Sequence, residues 1–72
     1  MKKLALIGCG GIGKYHLGHF LQFKDIALAG FCDLVLERAE AFVQKAGSGK
    51  AFVDFRKMYD EVQPDMAFIC VP

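Results

Sequence analysis

The sequence predicts an α/β fold in which a parallel sheet is doubly wound, with helices on both faces. Short apolar runs without polar alternation recur along the chain, and segments with helical spacing separate them. Strands of that kind are buried on both faces, and parallel neighbours need a crossover between them. With right-handed crossovers, the succession βαβαβαβ predicts the spatial strand order 3-2-1-4, just over half of a doubly wound domain.

The first half of the chain supplies two strands and one helix. The apolar run Leu4–Ile7 ends at a glycine cluster and predicts the first strand. The run Ile26–Cys32 is too short for a buried helix and predicts the second strand. The helix between them is expected to bury one stripe, formed by Ile12, His16, Phe20 and Phe23.

A second helix is predicted from Val35 onward, where the helical period returns. Gly47 is placed where a left-handed cap would end it. Its buried stripe is expected to consist of Val35, Ala39, Phe42, Val43 and Ala46.

The rest of the chain predicts one more short helix between two strands. The third strand is expected over Ala51–Val53, and Asp54 can cap a helix that reaches Val62. The fourth strand is expected over Met66–Val71. A hydrophobic run that stops abruptly at the last residue indicates the front part of a longer protein, so residues 1–72 are interpreted as an incomplete N-terminal domain.

Composition excludes several classes of protein. The 72 residues are 54% hydrophobic and 24% charged, with a net charge of +1, which argues against a nucleic-acid-binding face. No apolar stretch approaches the ~20 residues of a membrane span, so no membrane contact is expected. The odd count of three cysteines argues against a disulfide framework and favours a reducing, cytoplasmic location.

The main motif is the run Gly8-Cys9-Gly10-Gly11-Ile12-Gly13, a G-x-G-x-x-G between a strand and a helix. Gly8 permits the tight turn, Gly10 lets a pyrophosphate approach the backbone, and Gly13 lets the helix pack closely. The amides of Gly11 and Ile12 open the helix, whose N-terminus attracts anions. The motif predicts a dinucleotide-binding site of the Rossmann type.

Asp33 ends the second strand twenty residues after Gly13, where a carboxylate can accept hydrogen bonds from the adenosine ribose. That carboxylate would repel the 2′-phosphate of NADP, which favours NAD and leaves NADP as the alternative. The competing interpretation makes Asp33 the N-cap of the second helix, but position 36 is Leu and completes no capping box.

Two other patterns overlap these residues. The run from Gly8 to Lys14 matches most of a Walker A loop, but Tyr15 replaces the Ser or Thr that would hold Mg²⁺. A P-loop nucleotide binder is therefore the third choice among the possible functions. Cys9, Cys32 and Cys70 all fall near strand ends, yet their spacing is not that of metal ligands. They are interpreted as small apolar fillers, and no metal site is predicted.

Four parts of the chain together carry a resemblance to a known family: the run from Gly8 to His16, Asp33, Glu37-Arg38-Ala39 and the run Asp65 to Pro72. On these residues the chain resembles the Gfo/Idh/MocA oxidoreductase family. The resemblance implies that residues 8–13 hold the pyrophosphate of the cofactor and that Asp33 holds the adenosine ribose. It places Arg38 beside the adenine end, with an exposed ion pair to Glu37 or Asp33 as the alternative. Cys70 and Pro72 would end at the crevice for the nicotinamide half.

The resemblance also implies an activity, the transfer of a hydride between nicotinamide and a sugar, cyclitol or related alcohol or carbonyl substrate. Substrate and homo-oligomer contacts would come from a C-terminal α+β domain. The family's catalytic lysine motif has no counterpart in residues 1–72, so no catalytic residue is assigned and these residues alone are expected to be inactive. The alternative is a non-catalytic NAD-sensing regulatory domain.

Overall fold

The computed structural model describes residues 1–70, which form four strands and three helices in strict alternation. In chain order these elements are β1 (Lys2–Ile7), α1 (Gly11–Phe20), β2 (Ile26–Cys32), α2 (Leu36–Ala46), β3 (Lys50–Phe52), α3 (Phe55–Val62) and β4 (Met66–Ile69). All neighbouring strands are parallel, in the order β3-β2-β1-β4. The predicted fold class and strand order are confirmed.

The sheet separates two apolar clusters, as expected of a doubly wound fold. Successive residues of β1 point to opposite faces, so Leu4 and Leu6 lie in one cluster and Ala5 in the other. The first face is covered by α1 and α2, which contribute Leu17 and Phe42. The second is covered by α3, whose Met58 is fully buried. Because β1 is central, its carboxyl end opens between the ends of β2 and β4.

The predicted buried stripe of α1 is partly wrong. Ile12 is 51% exposed, and Phe23 is 53% exposed and lies beyond the end of the helix. The buried positions are Gly13 and Leu17, one helical turn apart. The helix must bring Gly13 against the glycine turn, and this rotates Ile12 away from the sheet. His16 is only half-buried, with its ring 4.7 Å from that of Phe68.

The second helix agrees better with its prediction. Ala39 and Phe42 are buried, whereas Val35 is an exposed N-cap residue rather than part of the stripe. Gly47 adopts the left-handed conformation with φ of +71°, and its N–H donates to the carbonyl of Val43 at 2.8 Å. The predicted helix stop is confirmed.

The remaining predictions hold with shifts at the strand ends. Asp54 caps α3, because its carboxylate accepts the N–H of Arg56 at 2.9 Å. The third strand covers Lys50–Phe52, one residue earlier than expected. The fourth strand ends at Ile69, and the Val71 of its predicted range lies outside the described residues. Among the helices of residues 1–70, none has the length and apolar character needed to cross a membrane.

Candidate functional site

The glycine turn connects β1 to α1, and two of its glycines are required by close packing. Gly8 has a φ of +96°, and a Cβ there would lie 2.5 Å from the carbonyl oxygen of Cys70. A Cβ on Gly13 would overlap the carbonyl oxygen of Gly8. A larger residue at either position would therefore displace backbone, which ties the shape of the turn to these two glycines.

Gly10 and Gly11 have different surroundings, because a Cβ on either would meet nothing within 4 Å. Gly10 is the N-cap of α1, and neither a side-chain cap nor an acidic residue occupies the first turn. Within residues 1–70, no acceptor receives the N–H of Gly11 or Ile12. The helix therefore presents unpaired amides, with the positive end of its dipole, to open space where an anion would fit.

Asp33 follows β2 and reaches the mouth of this turn. One carboxylate oxygen accepts the N–H of Cys9 at 2.8 Å, and the other accepts the N–H of Val35 at 2.8 Å. The N-cap of α2 is Val35, so Asp33 is not the N-cap that the competing interpretation proposed. Each oxygen keeps acceptor capacity beyond the bond it makes, which leaves the carboxylate able to bind a sugar hydroxyl.

Two adjoining clefts meet at Asp33. A cleft of about 310 Å³ is bordered by the turn residues Gly10, Gly11 and Ile12 and by Cys70. A second cleft of about 350 Å³ is bordered by the apolar side chains of Leu34, Val35, Val53 and Phe55. Gly8, Asp33 and Arg38 border both. The pair forms a crevice with an amide-rich end and an apolar end, which suits a diphosphate joined to an adenosine.

Arg38 lies in the first turns of α2 and is exposed. In the part of the chain that the structure describes, no carboxylate lies within 4.0 Å of its guanidinium, and the ion pair found there is Lys50–Glu61. The alternative in which Arg38 pairs with Glu37 or Asp33 is therefore not observed. Its charge is available to a ligand in either cleft.

Cys9 lies behind the turn rather than in the crevice. It is buried, its N–H is used by Asp33, and its thiol donates to the carbonyl of Cys32 at 3.5 Å. Neither cleft is bordered by its side chain. Gly13 is likewise buried beneath the turn, so both residues shape the site without facing it.

The three cysteines are buried free thiols that stay protonated near neutral pH. Burial, with smaller contributions from Asp33, Cys32 and Cys70, raises the pKa of Cys9 to about 12. Burial also raises the pKa of Cys32, with contributions from Asp33 and Asp54, and that of Cys70. No group of metal ligands occurs among residues 1–70. These thiols pack among the buried apolar side chains on the two faces of the sheet.

The apolar wall of the second cleft was not predicted from the sequence. Leu34, Val53 and Phe55 are exposed large apolar residues that directly follow the ends of β2 and β3. Their position after two neighbouring parallel strands is the signal that could have identified them, because the carboxyl ends of such strands lie side by side and border the same crevice. Cys70 borders the first cleft, and Pro72 lies outside the described residues.

In this α/β sheet, a glycine turn presents open amides beside a carboxylate. This combination is typical of the class of dinucleotide-binding domains. The model of the Gfo/Idh/MocA oxidoreductase family, described as an oxidoreductase family with an NAD-binding Rossmann fold, matches residues 2–72. The chain belongs to this family, and the matched residues have its NAD-binding Rossmann fold.

Relatives with named activities are dehydrogenases of sugars. The D-glucoside 3-dehydrogenase of Escherichia coli (strain K12) is 31% identical over 71 residues, which cover 97% of this chain and 20% of that protein. The glucose-6-phosphate 3-dehydrogenase of Bacillus subtilis (strain 168) is 37% identical over 60 residues, covering 83% of this chain and 17% of that protein. The chain thus spans about a fifth of the length of these relatives.

Solved structures share the fold. The scyllo-inositol dehydrogenase of Lactobacillus casei, whose structure holds NAD(H) and scyllo-inositol, superposes with a TM-score of 0.88 at 23% identity. The superposition covers 100% of this chain and 22% of that one. At this level of identity the likeness concerns the fold alone.

Proposed function

We propose that this chain supplies the cofactor site of a dehydrogenase that moves a hydride between nicotinamide and a sugar, cyclitol or related alcohol or carbonyl substrate. The observation that carries the proposal is the opening of the glycine turn, where the amides of Gly11 and Ile12, which have no acceptor within residues 1–70, border the same crevice as Asp33. The named activities of the relatives support the substrate class. When bound, the cofactor supplies the hydride chemistry, and the chain supplies binding and orientation.

Each part of the crevice has a proposed ligand group. The N–H groups of Gly11 and Ile12 bind the diphosphate, with Gly10 leaving room for it, and Asp33 accepts hydrogen bonds from the adenosine ribose. The apolar wall that includes Phe55 suits the adenine ring. Cys70 and, in the undescribed part, Pro72 belong to the nicotinamide half of the proposed site.

We propose a preference for NAD over NADP, which depends on two opposite charges near the ribose. Asp33 is held at the mouth of the turn by two hydrogen bonds and would repel a 2′-phosphate. Arg38 would attract one, but its side chain is exposed and its charge is screened by solvent and salt. The fixed, half-buried carboxylate therefore dominates the choice.

The proton that leaves or joins the substrate hydroxyl needs a separate protein group. No side chain that borders the described crevice is assigned this role, because Asp33 is proposed to bind the adenosine ribose, the thiol of Cys70 is held protonated, and the guanidinium of Arg38 stays charged. We propose that a C-terminal substrate domain supplies this group and the contacts of a homo-oligomer.

Titration of the full-length protein with NAD and NADP tests the cofactor assignment. We expect tighter binding of NAD, and tighter binding of NADP would contradict the assignment. Asp33→Ser is expected to weaken NAD binding by about 10- to 100-fold, because hydrogen bonds to a charged group are lost. It should also reduce the difference in affinity between NAD and NADP. An NAD-dependent activity screen with sugars and cyclitols tests the substrate class.

A further inference from the structure

We infer that Asp33 is also a positioning residue, which holds the glycine turn in the shape that leaves its amides open to a ligand. The ribose contact explains a carboxylate at this place only when the cofactor is bound. The same carboxylate also binds two backbone N–H groups, one in the glycine turn and one at the start of α2. The shape of the turn thus depends on a side chain that lies outside it.

The bond to Cys9 connects residues that are 24 positions apart, whereas the bond to Val35 joins residues two positions apart. The N–H of Cys9 belongs to the glycine turn, and the N–H of Val35 belongs to the start of α2. The backbone of Asp33 is itself fixed, since its N–H donates to the carbonyl of Phe52 at 3.0 Å. Asp33 therefore ties the turn to the end of β3 and to the first residue before α2.

The chemistry of the two bonds requires a carboxylate of this length. Each of the two N–H donors lies 2.8 Å from a different oxygen, so two acceptor atoms on one short side chain are needed. Asn offers one acceptor and would direct its NH₂ group at the other donor. Ser offers one short hydroxyl. Bonds to an ionised acceptor are also the stronger kind.

The bond to Cys9 also decides which amides remain for a ligand. The N–H of Cys9 is taken by Asp33, whereas those of Gly11 and Ile12 have no acceptor within residues 1–70. Loss of the carboxylate would free the Cys9 amide and remove the restraint on the turn. The consequence for cofactor affinity rests on the proposed function, but the hydrogen bond itself does not.

Nuclear magnetic resonance on the ligand-free, full-length protein tests the positioning role. A scalar coupling through the hydrogen bond, between the Cys9 amide nitrogen and the Asp33 carboxylate carbon, is expected and needs no variant. Asp33→Asn keeps only one acceptor, so it is expected to speed hydrogen exchange by about tenfold or more at the amide of Cys9 or Val35 that loses its acceptor. The amide of Gly8, which donates to Cys32, serves as the internal reference and should change little.

Asp54→Asn is the matched control, because Asp54 accepts the N–H two residues ahead in the same way as Asp33 but has no bond to the turn. It should leave exchange at Cys9 unchanged. Absence of the coupling in the unsubstituted protein, or unchanged exchange at both Cys9 and Val35 in Asp33→Asn, would overturn the inference.

Binding of an NAD analogue that lacks both hydroxyls of the adenosine ribose separates positioning from ribose contact. The analogue cannot bond to Asp33, so a pure ribose role predicts equal affinity in the unsubstituted protein and in Asp33→Asn. Positioning predicts about tenfold weaker binding of the analogue to Asp33→Asn. If the unsubstituted protein binds neither NAD nor the analogue, the proposed function fails, and the exchange measurement still decides the positioning role.

Discussion

At the scale of single residues, the glycines of the turn fall into two kinds, which differ in the atoms that surround them. Gly8 and Gly13 face backbone atoms of the chain itself, whereas Gly10 faces open space. The sequence motif predicted these separate roles, because the spacing of glycines between a strand and a helix is specific. The bond between Asp33 and Cys9 was not predictable, since spacing along the chain does not say which donor reaches a carboxylate.

Alanine substitutions should separate the two kinds of glycine. Gly8→Ala is expected to destabilise the fold by several kcal/mol, because its φ is +96° and Cβ would meet the Cys70 carbonyl. Gly10→Ala, with a φ of −92°, is expected to change stability by less than about 1 kcal/mol and to weaken NAD binding at least about tenfold. Denaturant unfolding and NAD titration measure both. Equal NAD affinity in Gly10→Ala and the unsubstituted protein would contradict the assignment.

The buried thiols make stability depend on alkaline pH. Burial raises the pKa of Cys9 from 9.0 to about 12, so the unfolded thiol ionises first and the native state loses stability as pH rises through this window. One such thiol contributes a slope of at most about 1.4 kcal/mol per pH unit. Urea unfolding between about pH 8 and pH 11 should show a shallower decline in Cys9→Ala. Identical slopes would show that the thiol titrates normally.

At the scale of elements, the type and order of all seven were predictable, because each apolar run or helical period is bounded by glycine, proline or an aspartate cap. The orientation of α1 was not, since Ile12 and Leu17 are both apolar and only the contact at Gly13 decides between them. Strand ends shifted for a similar reason. Pairing with β2 fixes the three residues of β3, and the sequence alone does not contain that register.

The C-terminal cap of α2 tests whether backbone conformation at a single glycine stabilises the end of a predicted helix. Gly47 has a φ of +71° in open surroundings, so Gly47→Ala should cost about 1 kcal/mol of stability through backbone conformation alone. Gly47→Asn should recover part of the loss, because Asn tolerates this conformation. The free energy of unfolding measures both, and an equal loss in the two variants would argue against a conformational cause.

At the scale of the whole molecule, β4 is an outer strand that leaves apolar side chains exposed. Ile69 is 61% exposed and Met66 40% exposed, and the edge of β4 opposite β1 pairs with no strand among residues 1–70. Edge strands of this kind promote association. The predicted sheet order already placed β4 at the edge, so this property followed from the topology.

The chain of residues 1–72 alone is therefore expected to be marginally stable and to self-associate. Light scattering should report species larger than a monomer, and Ile69→Lys should reduce association by placing a charge on the edge. A monodisperse monomer with a sharp thermal transition would contradict this expectation.

The central claim is that the glycine turn and Asp33 together form the dinucleotide site. Amide chemical shifts recorded during NAD titration of the isotopically labelled protein test it most directly. We predict saturable changes centred on Gly10, Gly11, Ile12 and Asp33, with little change at Asp65 at the opposite end of the sheet. No saturable change, or changes centred at that opposite end, would contradict the account.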